Sequence, residues 1–132
     1  MQMKTVDLFF KKVEVTDYYS QLDEVKVRIL FNDGTDKALI KQISIKEPQK
    51  QVREMLSEIR SKLKDKHKNS DSDDDPLSGA LIIRFKQDTD VLEEKMSRFL
   101  MQVKERIHSG KLAKLSYYDL EKKIKGVALS LE

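Results

Sequence analysis

Cysteine and tryptophan are absent from this chain, and glycine and proline are scarce, with four and two copies among 132 residues. Without cysteine the protein can form no disulfide, no thiolate zinc site, no iron–sulfur cluster and no cysteine nucleophile. The glycines at positions 34, 79, 110 and 126 are isolated from one another, so they form no glycine-rich phosphate-binding loop. The sequence therefore excludes disulfide-stabilised, thiolate-metal and P-loop proteins.

Long apolar runs are also missing. The longest, Ala80 to Ile83, falls far short of the ~20 apolar residues that a membrane-spanning helix needs. Near the N-terminus, Lys4, Asp7, Lys11 and Lys12 would interrupt the apolar centre of a signal peptide. We therefore expect a cytoplasmic protein that makes no contact with a membrane.

Motifs for catalysis and metal binding are equally poor. The two histidines, His67 and His108, lie at predicted helix ends among charged residues, and neither belongs to an H-x-x-x-H ligand pair. The segment 71–82 begins like a calcium-binding loop, with aspartate at its first, third and fifth places. Its sixth place holds proline where glycine is needed, and its twelfth holds isoleucine where glutamate is needed. We therefore predict no enzyme activity, no catalytic residue, no metal and no cofactor.

The N-terminal half alternates apolar and polar residues with a period of two, which is typical of half-buried strands. Residues 25–31 form one such run, and the turn sequence at 32–35 predicts a hairpin with a return strand over residues 39–45. Lys41 breaks the apolar face of that return strand. Upstream, the alternation in residues 6–15 changes phase, and a bulge at Lys11-Lys12 would restore it.

Three segments carry the three-and-four spacing of amphipathic helices. The first begins near Pro48, the second follows an N-cap at Asp90 and ends at Gly110, and the third follows a cap at Ser116 and reaches Leu131. The apolar stripe of the first helix is formed by Val52, Met55, Leu56, Ile59 and Leu63. Between the first two helices, the apolar run 80–85 predicts a strand in the interior of the sheet, covered on both faces.

The predicted order β-β-β-α-β-α-α indicates an α+β fold with a small mixed or antiparallel sheet covered by about three helices. At this length, with 39% hydrophobic and 37% charged residues, residues 1–132 should form a single domain with a highly charged surface. Residues 69–79 contain four aspartates, a proline and a glycine, and we predict a mobile acidic loop there. Ser70 and Ser72 each have aspartate three residues on, so both are candidate modification sites.

The first helix has the one patterned polar surface in the sequence. Residues 48–68 carry seven Lys or Arg against three Asp or Glu, and most of these cations fall within an arc of about 100° beside the apolar stripe. Segregated cations on one helix face are a feature of polyanion-binding surfaces. The candidate polyanion- or partner-binding residues are Lys50, Arg53, Arg60, Lys64 and Lys68.

Two functions remain open from the sequence. The first is a non-catalytic protein-interaction or accessory domain, which binds another protein or a second copy of itself. Self-association would use Met101 and Leu129, which lie opposite the apolar stripes of their predicted helices and should be exposed. The second is nucleic-acid or other polyanion binding through the basic helix at 48–68, with the acidic loop able to screen that face.

Overall fold

The computed structural model of this chain describes residues 4–70, 81–109, 122–124 and 127–132. The fold is α+β, and the predicted order of elements is confirmed as far as the second helix. Of the predicted acidic loop, residues 69 and 70 end the first helix, and the remainder, including Ser72, lies outside the described residues. The elements are β1 (Lys4–Tyr19), β2 (Glu24–Asn32), β3 (Asp36–Ser44), α1 (Pro48–Ser70), β4 (Leu81–Phe85), α2 (Thr89–His108), β5 (Lys122–Lys123) and β6 (Ala128–Ser130).

The sheet is mixed and is organised around β1, a strand of 16 residues. One side of β1 pairs antiparallel with β2, which in turn pairs antiparallel with β3 through the predicted hairpin. The other side is shared by three strands. Its N-terminal part pairs in parallel with β4, and its C-terminal part pairs antiparallel with β6 and then with β5.

The bulge predicted at Lys11-Lys12 is confirmed. The register of β1 against β2 shifts between Phe10 and Lys12, so that Leu8, Phe10 and Val13 all face the same core despite their change of phase. A second shift between Val15 and Asp17, which the sequence did not reveal, turns Tyr18 inward. Because side chains alternate along a strand, each shift of one residue reverses the face that the following residues present.

The side chain of Gln87 fills the gap on β1 between its two partner strands β4 and β6. Gln87 Oε1 accepts a hydrogen bond from the Phe10 N–H at 2.8 Å, and Nε2 donates to the carbonyls of Phe10 at 2.8 Å and Leu131 at 2.7 Å. Main-chain bonds flank it, from the Lys86 N–H to Leu8 and from the Leu131 N–H to Lys11, each 2.8 Å. One amide thus satisfies three backbone groups that no strand reaches.

Helices α1 and α2 share one hydrophobic core with the sheet. The whole predicted apolar stripe of α1 is buried, as are Leu92, Met96, Phe99, Leu100 and Val103 of α2. Lys41, which breaks the apolar pattern of β3, lies on the inward face of that strand. Its Nζ is 3.0 Å from Glu58 Oε2 on α1, so a cross-layer ion pair occupies the position where the alternation predicts an apolar residue.

The third predicted helix is wrong, because β5 and β6 occupy part of that segment. Val127 and Leu131 are buried, Ala128 and Ser130 are exposed, and Leu129 is partly buried, which is a period of two. The C-terminal part of β1 pairs with β2 on one side only, and this segment supplies a partner for the other side. The Val15 N–H, for example, donates to the Val127 carbonyl at 3.0 Å. Pairing with β1 therefore overrides the local preference for a helix. Leu129 is therefore not the exposed residue that we predicted.

Two further predictions need correction. Among the described strands, β4 pairs with β1 alone and lies at an edge rather than in the interior, and Ile82 on its outer face is 40% exposed. The N-cap of α2 is Asp88 rather than Asp90, and Asp88 Oδ1 accepts hydrogen bonds from the N–H groups of Asp90 and Val91 at 2.8 and 3.3 Å. The helix therefore begins two residues earlier than predicted, after β4 has ended at Phe85. Asp90 lies in its first turn, where a negative charge interacts favourably with the helix dipole.

Replacing Gln87 tests the importance of this junction. We expect Gln87→Ala to lower the free energy of unfolding by about 2–3 kcal/mol, since three backbone groups lose their partner. Gln42→Ala, which removes an exposed hydrogen bond to Glu24, is the matched control and should stay within about 0.5 kcal/mol of the wild type. Urea unfolding measures both values, and equal effects of the two variants would contradict the role given to Gln87.

Gln87→Glu adds a pH-dependent test of the same junction. An ionised carboxylate can accept from Phe10 but would face two carbonyl oxygens, so folding raises its pKa above the unfolded value. A protonated carboxyl donates one hydrogen bond where the amide donates two, so part of the destabilisation should persist at low pH. The further destabilisation caused by ionisation should be absent below the unfolded pKa, about 4.3, and should grow as the pH rises to the folded pKa. The free energy of unfolding of both proteins is measured with urea across this pH range. If the difference between wild type and variant does not become smaller in acid, the proposed geometry is refuted.

Candidate functional site

The predicted basic residues of α1 fall into two groups. Some are open to solvent, and others contact a neighbouring element. Lys50 and Lys64 are exposed, and Lys50 Nζ is 3.9 Å from Glu47 Oε2. Arg53 is exposed and reaches across to α2, with Nε 3.5 Å from Glu93 Oε2. The Arg60 guanidinium lies 5.9 Å from the centroid of the Phe85 ring, a cation–π contact. Two of the five candidates therefore make contacts that join α1 to neighbouring elements.

The remaining candidates are only partly described. Lys68 and Ser70 lie in the last turns of α1, and the structure describes their backbone but not their side chains. Ser72 lies outside the described residues. Binding through the basic helix and modification of either serine therefore stay predictions.

A groove of about 820 Å³ lies where the start of α1 faces the C-terminal half of α2. Met101, which the sequence predicts to be exposed, lines it with 53% of its surface open to solvent. The rim carries three lysines and two glutamates, so its charges are mixed. They are Lys46, Glu47, Lys50, Lys104 and Glu105.

A small polar cluster closes one end of this groove. His108 Nε2 lies 3.4 Å from Asp23 Oδ1, and the same oxygen accepts from the Tyr18 hydroxyl at 3.2 Å. Burial raises the pKa of Tyr18, and the Asp23 carboxylate raises it further. Asp23 itself has a φ of +50°, the left-handed conformation that aspartate tolerates in tight turns. The neighbouring Ser109 hydroxyl donates to the Arg106 carbonyl at 3.1 Å, so the cluster joins α2 to the β1–β2 turn rather than forming a nucleophile–base pair.

A second groove, lined mostly by apolar residues, lies beside residues 37–39 of β3, where α1 packs against the strand. It is a notch of about 360 Å³ whose floor is formed by the core residues Phe31, Leu39, Ile59 and Leu63. Lys37 and Lys62 stand at its rim. The sequence did not reveal this groove, because its two sides come from elements that are separate in the chain. In the sequence, the one indication of this groove was Lys41, a charged residue on the otherwise apolar face of β3.

Ion pairs surround this edge and hold several carboxyl pKa values below their ordinary range. A hydrogen bond from Lys41 lowers the pKa of Glu58 most, and Lys62 lowers it further against the opposing effect of burial. Lys11 and Asn32 lower the pKa of Asp36 by the same kind of bond. Burial raises the pKa of Asp33, but hydrogen bonds from Lys37 and Thr35 outweigh it.

In the part of the chain that the structure describes, no three His, Asp or Glu side chains come together as ligands for a metal ion. Neither described helix combines the length and apolar content that crossing a membrane requires.

These ion pairs predict how stability depends on pH. A carboxyl whose pKa is lowered by folding stabilises the native state above its unfolded pKa, and that contribution is lost as the pH falls through the folded value. The unperturbed pKa values are 3.8 for Asp33 and Asp36 and 4.5 for Glu58. The free energy of unfolding should therefore begin to fall as the pH approaches these values and should continue to fall below them.

The variant Glu58→Gln isolates one member of the network. It should cost about 0.5–1 kcal/mol at neutral pH and should reduce the acid dependence of the unfolding free energy, measured with urea. Glu54→Gln, an exposed neighbour on α1, is the control and should change neither quantity. An unchanged acid dependence in Glu58→Gln would contradict the assignment.

Comparison with known proteins gives no indication of the function of this chain. No family model, no curated protein and no solved structure matches the chain. The features that bear on function are therefore the edge strands, the two grooves and the charges around them.

Proposed function

We propose that this chain is a non-catalytic interaction domain that binds an extended segment of another polypeptide at strand β3. The observation that carries the proposal is the edge itself. Within the described ranges, β3 pairs with β2 alone, and Lys37, Ala38 and Leu39 of its nine residues line the groove beside α1. Ile40, at the centre of its outer face, is 58% exposed.

An edge strand attracts other strands because it presents a row of N–H and C=O groups without main-chain partners. An added strand satisfies them and extends the sheet, and its side chains then contact the surfaces on either face. β3 offers a helix-lined groove on one face and Ile40 on the other, so a bound segment would have side-chain contacts on both faces.

On the opposite side of the described sheet, where β4, β6 and β5 all border β1, β4 is the longest strand and is a weaker candidate. It has five residues against the nine of β3, so an added strand would form fewer main-chain bonds there. On its outer face the Arg84 Nε is 2.8 Å from Asp7 Oδ1, which leaves Ile82 as the exposed apolar residue.

Selected peptides test the proposal. A phage-displayed library of random eight-residue peptides is selected on the full chain, and a selected peptide is then titrated into ¹⁵N-labelled protein. We expect the largest amide shifts in Asp36–Ser44. The variant Ile40→Lys should weaken binding by up to about fivefold, because it removes an apolar cross-strand contact. Met101→Lys, at an equally exposed residue on α2, is the control and should bind like the wild type.

Two results would contradict strand addition at β3. One is a selection that yields no binding peptide, and the other is a peptide whose shifts map away from β3. Shifts around Met101, with binding lost in Met101→Lys but kept in Ile40→Lys, would instead assign the interaction to the groove at the start of α1.

Polyanion binding through α1 is the second candidate, and one observation favours it. The helix continues to Ser70, beyond its last described buried residue, Leu63. Residues 64–70 contain three lysines, one aspartate and no apolar residue, so nothing in this sequence calls for packing against the core. Clusters of cations of this kind neutralise phosphate groups in polyanion-binding proteins.

Salt dependence distinguishes this second candidate. If α1 contacts phosphates of duplex DNA, the binding constant should fall with salt, with a slope of about 0.9 per contact in a double-logarithmic plot. Lys64→Ala combined with Lys68→Ala should reduce the slope by about 2 for all sequences alike. Absence of binding to DNA, RNA and heparin at low salt would eliminate the polyanion function and leave strand addition unaffected.

A further inference from the structure

We propose that the groove between β3 and α1 selects a strand in which an aliphatic residue is flanked, two positions away on both sides, by Asp or Glu. This inference rests on the proposed function, since it assumes that a strand is added to β3. It goes further by giving the chemistry of the segment that the groove accepts.

The apolar part of the recognition comes from the notch. Its floor is formed by Phe31, Leu39, Ile59 and Leu63, which all belong to the main core. Three of them retain a few per cent of exposed surface, whereas Ile59 is almost fully covered. A strand laid against β3 would place an inward-facing side chain over Leu39, and an aliphatic side chain there would cover this remaining apolar surface.

The charged part of the recognition comes from the neighbours of Leu39 on the same face. Side chains at positions two apart share a face of a strand, so Lys37, Leu39 and Lys41 point toward the groove side of the sheet in that order. Lys37 is 23% exposed and Lys41 is 34% exposed, so both cations are reached from the edge. An added strand therefore meets a cation, an apolar residue and a second cation.

The local charge balance favours an acidic partner. Lys37 contacts Asp33 at 3.1 Å, and Lys41 and Lys62 share Glu58 at 3.0 and 3.5 Å. Among the described residues, Lys41 and Lys62 thus share the single carboxylate of Glu58. A lysine ammonium has three donors, so Lys41 and Lys62 can each bind a further carboxylate from outside without losing their partner on this chain.

The same lysines disfavour indiscriminate pairing. Inward-pointing charges on an edge strand are a feature that prevents unlimited growth of a sheet, since an apolar strand would bury them without compensation. A strand with carboxylates at the matching positions removes this penalty. The arrangement on β3 is symmetric about Leu39, so it accepts the acidic–aliphatic–acidic pattern from a parallel or an antiparallel strand alike.

Synthetic peptides test the pattern directly. The probe is the nine-residue peptide TTEVLVETT, which carries leucine between two glutamates on one face. Its matched control, TETVLVTET, has the same composition but moves both glutamates to the other face. Two variants change one group at a time: TTEVSVETT removes the aliphatic side chain, and TTQVLVQTT removes the charges. Affinity is measured by titration into the ¹⁵N-labelled full chain, so that the binding site is mapped at the same time.

We expect TTEVLVETT to bind at β3 more tightly than the other three. Loss of the leucine should weaken binding by about tenfold, because a buried aliphatic side chain is worth that much or more. Loss of the charges should weaken it by about threefold, the range of partly exposed ion pairs, and high salt should reduce this difference.

Variants of the protein separate the two parts of the recognition. Lys41→Met should reduce the preference for glutamate over glutamine in the peptide and leave the preference for leucine over serine unchanged. Lys62→Glu should weaken binding of TTEVLVETT, whereas Lys95→Glu, an exposed reversal on α2, should not.

The outcomes distinguish this inference from the function on which it rests. If all four peptides bind with equal affinity and shift the β3 amides, strand addition stands and the proposed selectivity is overturned. If TTEVLVETT and its variants shift no β3 amide, the selectivity is overturned too, and the library selection then decides separately whether β3 accepts any other strand.

Discussion

The pairing of one long strand with four others is the constraint on which the rest of this structure depends. β1 is bordered by β2 along one side and by β4, β6 and β5 in turn along the other. Each change of partner needs a local adjustment, and the bulge near Lys11 and the amide of Gln87 provide it between β4 and β6. Both helices pack on the sheet that β1 organises, so the positions of α1 and the β3 groove follow from it.

Local signals predicted the first six elements well, because each carried its own periodicity. The bulge in β1 could be predicted because apolar alternation on both sides fixed the same inward face. Pairing on the free side of β1 could not, because the segment around Val127 fits a helix and a strand equally well until the strand that it joins is known. The apolar run ending at Phe85 was assigned to the interior for a similar reason: composition reports how apolar a strand is, not how many neighbours it has.

The candidate site shows the same limit more strongly. The basic stripe of α1 was predicted as a pattern, but its partners Glu93 and Phe85 depend on how α2 and β4 lie beside it. The β3 groove was not predicted at all, since its two sides are joined only by folding. Lys41 was the residue that departed from the pattern, and in the structure it lies beside the notch. A charged residue on an apolar strand face was therefore the best sequence indicator of the surface to which we assign function.

The position of β6 has a consequence for how this protein is made. Glu14 in β1 pairs with Ala128 in β6, so this part of β1 lacks that partner until residue 128 has been synthesised. At ~5–20 residues per second, the interval between the two strands is roughly 6–23 s. During this time the hairpin of β1 and β2 carries an uncovered strand rich in valine, a state that favours association between nascent chains. The yield of folded protein therefore depends on how that hairpin is protected during translation, independently of how stable the finished sheet is.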